Sequence, residues 1–251
     1  MSKRHALVTG AGTGIGAVIA GALASQGARV SLLGRKLPPL EALASSLGNA
    51  RAISCDVTDE SAVAKAFEEA TAKFGPVEIL INNAGEAPTA PFHKLTARQW
   101  RQVMAVNLDG VFHCSSAAID GMLELGWGRI VNIASTAALR GYAYVSAYSA
   151  AKHGVLGLTR SLALETATKG ITVNAVCPGY TDTDIIRRSV RQIMEKTGRS
   201  EAQALAGFTA ANPQGRLIEP EEIAASVLWL CSEQARSVTG QAISINGGEV
   251  M

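Results

Sequence analysis

TGAGTGIG, Thr9 to Gly16, is the stretch on which the fold turns. It follows ALVT (Ala6 to Thr9), a short apolar run, and leads into AVIAGALASQG, which continues as a helix. Binding a pyrophosphate needs this order. A tight turn must leave a strand, bare backbone must approach the anion, and a helix must present unpaired N–H groups and the positive end of its dipole. Gly10, Gly14 and Gly16 stand where those demands fall, with Gly12, Thr13 and Ile15 completing the candidate loop. A glycine-rich string alone is a weak signal, but strand, loop and helix in sequence at the first element of a chain form a strong one.

Outward from this loop, short apolar runs recur: RVSLL (Arg29 to Leu33), RAIS (Arg51 to Ser54), VEILI (Val77 to Ile81), RIVNIA (Arg129 to Ala134), ITVNAV (Ile171 to Val176) and AISI (Ala242 to Ile245). Most lack alternation, as expected of parallel strands covered on both faces. Between them lie helical stretches, including Ser61 to Phe74, closed by Gly75-Pro76, and Glu219 to Cys231, opened by Pro220 and two glutamates. The pattern predicts a Rossmann-type α/β fold: a doubly wound, mostly parallel seven-stranded sheet with helices on both faces, in one domain spanning 1–251. One excursion, 179–217, has no strand pattern and carries two helical stretches, IIRRSVRQIMEK and SEAQALAGF. Its length reads as a helical substrate lid.

Composition narrows the class. The chain is 47% apolar and 18% charged, with a net charge of +2 and no block of like charges, so nucleic acid and anionic membrane are not expected partners. Cys55, Cys114, Cys177 and Cys231 show no metal-ligand spacing and read as free thiols in a reducing, cytoplasmic setting; no metal is expected. Lys3-Arg4-His5 ahead of the uncharged run Ala6 to Ala28 mimics a leader peptide. The phosphate-loop reading of that run displaces it.

The second strand ends in Gly34, Arg35 and Lys36, with no carboxylate to take the ribose hydroxyls of NAD. NADP(H) is therefore favoured and NAD(H) is the alternative, since Arg35 would stack on the adenine of either. Asp56 and Val57, just past the third strand, are placed to meet the adenine edge. YSAAK puts Tyr148 and Lys152 four residues apart, on one helix face. For acid–base work near neutrality the phenol must shift by roughly three pKa units, about 4 kcal/mol, which a neighbouring ammonium and the positive nicotinamide ring would supply. Ser135 lies at the C-terminal end of a strand, where open α/β sheets bind ligands. Taken alone, the YxxxK pattern fits a core tyrosine equally well.

Taken together, TGAGTGIG, NNAG (Asn82 to Gly85), the Asn of VNLDG (Asn107), Ser135, YSAAK, and Pro178-Gly179 with Thr183 resemble the classical short-chain dehydrogenases/reductases over essentially the whole chain. The resemblance implies a catalytic tetrad of Asn107, Ser135, Tyr148 and Lys152. In it Tyr148 is the acid/base and Ser135 orients the carbonyl; Lys152 holds the nicotinamide ribose and lowers the tyrosine pKa, while Asn107 holds a relay water. It also implies that Asn83, Ala84 and Gly85 line the cofactor cleft, and that Thr183 and the backbone near it, Pro178, Gly179 and Thr181, meet the carboxamide. Thr13 stands where NADP-dependent members often carry a basic residue, which keeps NAD(H) open. Tyr142, Tyr144, His93, His113 and His153 match no motif and read as structural or rim residues.

AAKHGVLGLTRSLALETA and the Asn246-Gly247-Gly248 ending resemble bacterial 3-oxoacyl thioester reductases and 3-hydroxyacyl or 3-hydroxybutyrate dehydrogenases. The expected reaction interconverts a ketone and a secondary alcohol on a small-molecule substrate. Arg187, Arg188 and Arg191 are candidates for the phosphate of a CoA or carrier-protein thioester. The alternative is an aryl ketone, sugar or cyclic alcohol. Nucleotide-sugar epimerases and non-catalytic cofactor sensors fit less well, given the chain length, the form of the glycine loop and the complete tetrad. The family also implies a homotetramer. Ala147, Ala150, Ala151, Gly154 and Gly157 leave the helix around Tyr148 without bulk, for close approach either to another subunit or to the chain itself.

Overall fold

The computed structural model describes residues 3–251. Seven parallel strands form one sheet in the order β3-β2-β1-β4-β5-β6-β7. They are β1 His5–Thr9, β2 Arg29–Gly34, β3 Ala50–Ser54, β4 Ile79–Asn82, β5 Gly128–Ile133, β6 Ile171–Pro178 and β7 Ala242–Ile245. The helices are α1 Gly14–Ser25, α2 Leu37–Leu47, α3 Glu60–Phe74, α4 Ala97–Met104, α5 Gly110–Leu125, α6 Ser146–Thr166, α7 Asp184–Thr197, α8 Glu201–Thr209 and α9 Pro220–Leu230. Each predicted strand is present, shifted by at most two residues at an end. The leader-like run Ala6 to Ala28 is β1, the glycine loop and α1 in the middle of the sheet.

The strands read as unbroken apolar runs because alternate residues serve different layers. Ala6, Val8, Ile79 and Ile81 face α1 and α9 with Ile19, Leu23, Ile223 and Val227, whereas Leu7 and Leu80 face α3 and α5 with Phe67, Cys114 and Met122. All four cysteines are free and buried. Among the described residues no helix is long and apolar enough to cross a membrane.

A buried polar chain ties the middle strands to the helix carrying Tyr148. Asn82 Nδ2 donates to Ser115 Oγ at 3.1 Å and to Asn132 Oδ1 at 2.9 Å; Asn132 Nδ2 then donates to Thr159 Oγ1 at 2.8 Å. Such groups tolerate burial by bonding one another, and of these four side chains only Asn82, at its Oδ1, is left with an atom that has no partner among the described residues. Gly154 of α6 meets its own chain, since a Cβ there would lie 2.9 Å from Leu108 Cδ2, whereas Gly157 faces open space.

The excursion at 179–217 leaves the sheet after β6 and is closed at its base. Thr181 and Ile218 form a parallel bridge, with Asp182 N donating to the Ile218 carbonyl at 2.9 Å and Ile218 N to the Tyr180 carbonyl at 2.9 Å. The two helical stretches are α7 and α8, the latter opened by a Ser200/Gln203 capping box.

Candidate active site

β1 and β4 are neighbours in the sheet, but their outgoing connections diverge, which opens a crevice at their C-terminal ends. Gly10 (φ +63°) and Gly14 (φ +57°) take the left-handed conformation open to glycine. α1 begins at Thr13 without a side-chain cap and without an acidic residue in its first turn, so its N–H groups and dipole face the loop. Asn83 holds the loop from the far side: its Nδ2 donates to the Thr9 carbonyl at 3.0 Å and the Gly10 carbonyl at 3.2 Å. The Thr9 hydroxyl accepts from the Asn83 and Ala84 amides, each at 3.0 Å. A Cβ on Gly16 would run into Asn83 Nδ2 and the Gly10 carbonyl. Gly16 therefore makes room for the loop's own closure.

Further along the loop, Gly12 packs toward Pro39 of α2. Gly34 ends β2, and Arg35 and Lys36 beyond it are exposed. Neither cation has an ion-pair partner among the described residues. The Asp56 carboxylate accepts from Thr58 N at 3.0 Å and Thr58 Oγ1 at 2.8 Å, and His113 Nδ1 donates to the Val57 carbonyl at 2.9 Å.

α6 carries Tyr148 and Lys152 one turn apart. Lys152 is buried and its Nζ donates to the Ile133 carbonyl at 2.8 Å, at the end of β5. Burial pulls its pKa down to about 8. Tyr148 lines the cavity, and burial raises the phenol pKa; the Ser135 hydroxyl works in the opposite direction. The sequence suggested that a neighbouring ammonium lowers this pKa. In the folded protein desolvation is the largest influence on the phenol, and Nζ lies 5.7 Å from the centre of the ring. Ser135 Oγ also accepts from Ala137 N at 3.1 Å, which tethers it at the end of β5.

Asn107 is fully buried in one turn of π-helix, Ala105–Asp109, a widening often found at functional sites. Its Nδ2 donates to the Glu86 carbonyl at 2.9 Å and the Val103 carbonyl at 3.0 Å, and its Oδ1 accepts from Glu86 N at 3.3 Å. A Cβ on Gly85 would come within 2.8 Å of Asn107 Oδ1 and 3.7 Å of Lys152 Nζ, so the bare backbone there lies between them.

These elements border a cavity of about 1020 Å³. Gly10, Thr13, Gly14, Ile15, Asn83, Ala84 and Gly85 line it, and so do Ser135, Tyr148, Lys152, Pro178, Gly179, Thr181 and Thr183; Thr183 Cγ2 lies 3.5 Å from where a Cβ of Gly14 would be. Gly12, Gly16, Gly34, Arg35, Asp56, Val57 and Asn107 do not line it. Asn107 sits one layer behind Gly85, and the others lie along the loop and the ends of β2 and β3. Among the described residues, no cluster of His, Cys, Asp or Glu is arranged to hold a metal ion.

Several lining residues carried no sequence signal. Tyr142, Tyr144, Tyr180 and Phe208 give the cavity an aromatic wall, in which the Tyr180 and Phe208 rings meet edge to face at 5.3 Å, and Glu86 lines it too. Tyr144 holds φ +68° and its carbonyl accepts from Ala90 N at 2.8 Å. Of Arg187, Arg188 and Arg191 on α7 only Arg188 lines the cavity; Arg187 is committed to Asp182 through two hydrogen bonds of 2.8 and 2.9 Å.

A model of the short chain dehydrogenase family matches residues 4–193. The chain is 40% identical to an acetoacetyl-CoA reductase of Rhizobium meliloti (strain 1021), over 98% of each chain. It is 41% identical to a cis-4-hydroxycyclohexanecarboxylate dehydrogenase of Sinomonas cyclohexanicum, over 98% of this chain and 96% of that one. The crystal structure of a variant of actinorhodin polyketide ketoreductase with NADPH superposes with a TM-score of 0.94 at 37% identity, covering 99% of both chains.

Proposed function

The chain belongs to the short chain dehydrogenase family of nicotinamide-dependent oxidoreductases, and from that premise we propose that it reduces the keto group of a 3-oxoacyl thioester with NADP(H). The observation that carries this reading is that Ser135, Tyr148 and Lys152 line the same cavity as Gly10, Thr13, Gly14 and Ile15 of the glycine loop. A dinucleotide fits the residues present: left-handed glycines at Gly10 and Gly14, an acid-free first turn of α1, and an unpaired Arg35 for a 2′-phosphate. Gly12, Gly34, Asp56 and Val57 would border its adenosine half, and Asn83, Ala84, Gly85, Pro178, Gly179, Thr181 and Thr183 its nicotinamide half. When bound, the cofactor supplies the hydride.

Tyr148 gives its proton to the carbonyl oxygen, and Ser135 donates a hydrogen bond to that same oxygen. A phenol that burial keeps protonated at neutral pH suits the reductive direction. Lys152, held by the Ile133 carbonyl, has further N–H donors for the ribose hydroxyls and stabilises the phenolate left behind. Both amide hydrogens of Asn107 are already used, so its Oδ1 is the side-chain atom with capacity for a relay water.

α7 and α8 act as a lid over the same domain, with Arg188 as the lid cation within reach of a substrate anion. A homotetramer in the cytoplasm completes the reading; the exposed apolar side chains Trp100, Phe112 and Leu164 on α4, α5 and α6 support covered helix faces. A cyclic hydroxy acid is the second reading, favoured by the Sinomonas relative and by Arg188 as a partner for a ring carboxylate.

Steady-state reduction by NADPH of acetoacetyl-CoA, ethyl acetoacetate, 4-oxocyclohexanecarboxylate and acetophenone separates these readings. A kcat/KM for acetoacetyl-CoA at least about tenfold above the others is expected, equivalent to roughly 1.4 kcal/mol of transition-state binding. Indifference to the thioester would remove the leading assignment.

A further inference from the structure

Behind the aromatic wall of the cavity lies a carboxylate that the mechanism does not use. Glu249 follows β7 in a tight turn: Gly248 N donates to Asn246 Oδ1 at 3.0 Å, Glu249 N to the Asn246 carbonyl at 3.2 Å, and Asn246 Nδ2 to the Val250 carbonyl at 3.0 Å. Gly247 (φ +63°) and Gly248 (φ +90°) provide left-handed conformations that the turn requires. The turn buries the Glu249 side chain to 2% exposure and sets its Oε2 only 3.1 Å from where a Cβ of Gly179 would be.

A buried carboxylate needs partners, and these come from the loop that joins Ser135 to Tyr148. Tyr142 Oη donates to Glu249 Oε1 at 2.5 Å, and Arg140 Nη2 donates to the same oxygen at 3.1 Å. The Arg140 guanidinium also lies 4.5 Å from the centre of the Tyr142 ring. The ring of Tyr142 lines the cavity while its hydroxyl reaches back to Glu249. At its other end the loop is held by Tyr144, whose carbonyl binds Ala90 N. Two anchors on different parts of the fold thus fix a stretch that carries two aromatic rings into the cavity.

We infer that Glu249 is a substrate-positioning residue: through Arg140 and Tyr142 its carboxylate holds the 139–145 loop as one wall of the cavity, setting how the carbonyl substrate lies against Ser135 and Tyr148. The inference rests on the reading of this cavity as the substrate site. Glu249 has no hydrogen bond to the glycine loop or Lys152, and although its Oε2 lies against Gly179, neither Glu249→Gln nor Tyr142→Phe adds bulk there, so the effect of losing the Arg140 and Tyr142 contacts falls on the carbonyl substrate.

The test is a kinetic double-mutant cycle on the full chain. Glu249→Gln keeps an acceptor for Tyr142 but removes the charge that Arg140 pairs with; Tyr142→Phe removes only the hydroxyl. Each should raise KM for the carbonyl substrate about tenfold, leave kcat within about threefold and leave KM for NADPH unchanged, and the double variant should be no worse than the more damaging single one. Unchanged KM in both single variants, equal loss for substrate and NADPH, or fully additive effects would overturn the inference. Failure of the thioester reading shows separately, in the wild-type substrate comparison. The variant-to-wild-type ratios are taken on whichever ketone the wild type turns over best.

Discussion

Asn83 Nδ2 donates to the Gly10 carbonyl at 3.2 Å, so the end of β4 holds the turn that leaves β1. The same amide group binds the Thr9 carbonyl, and together with the Thr9 hydroxyl it locks two adjacent strand ends into one rigid mouth. Rigidity matters there because a dinucleotide is bound by backbone groups, whose positions no side-chain rotamer can correct.

Asn83→Ala removes both donors while leaving the glycines in place. NADPH affinity should fall about tenfold and the fold should lose about 1–3 kcal/mol, the usual loss for part-buried hydrogen bonds whose acceptors are left behind. Fluorescence titration of NADPH and a denaturant melt measure the two effects. An unaltered Kd would show that Asn83 does not hold the loop in its binding form.

Tyr148→Phe should cut kcat by about 10²- to 10⁴-fold, the range for losing a positioned general acid, with NADPH affinity kept within about twofold. Single-turnover reduction followed at the nicotinamide absorbance tests this. Turnover near the wild-type level with any ketone would end the acid/base assignment.

Arg35→Asp should weaken NADPH binding by about 10- to 100-fold, the equivalent of one charge-assisted hydrogen bond, and leave NADH binding equal or better. Titration with both dinucleotides decides it. If the wild type binds NADH more tightly, Arg35 is not a phosphate partner, and the Thr13 of the glycine loop was the better indicator.

Lys152 links the active site to stability. In the folded chain its proton leaves near pH 8, whereas the unfolded chain keeps it to about 10.5. Between those values the unfolded state binds more protons, so stability rises with pH across the window and the burial penalty, about 3 kcal/mol, is fully present below pH 8. Lys152→Met should therefore raise stability at pH 7 by about 2 kcal/mol, after subtracting the lost bond to the Ile133 carbonyl, while abolishing turnover. The gain should vanish by about pH 10.5. Chemical denaturation at pH 7 and pH 10 measures it; a variant less stable than wild type at pH 7 would contradict the sign.

Sequence by itself determined the sheet, the strand–glycine–helix order of the first loop and the pairing of Tyr148 with Lys152 on one helix face. Each of these is written in neighbouring residues: strand runs of four to eight residues, glycines at a strand–helix turn, and a Tyr and Lys one helical turn apart. The tetrad that includes Asn107 and Ser135 is what the family resemblance implies. Tertiary structure alone decided the rest. It placed Asn107 behind Gly85 and outside the cavity, gave Gly16 to loop closure, committed Arg187 to Asp182 and left Arg188 at the pocket. It brought Glu249 to Tyr142, 107 residues away in the chain, and made burial the dominant influence on the Tyr148 phenol. Local geometry follows from the dihedral preferences and spacing of adjacent residues, which a linear string records. Desolvation and long-range hydrogen bonds depend on which surfaces meet when the chain packs, and those distances exist only in the folded molecule.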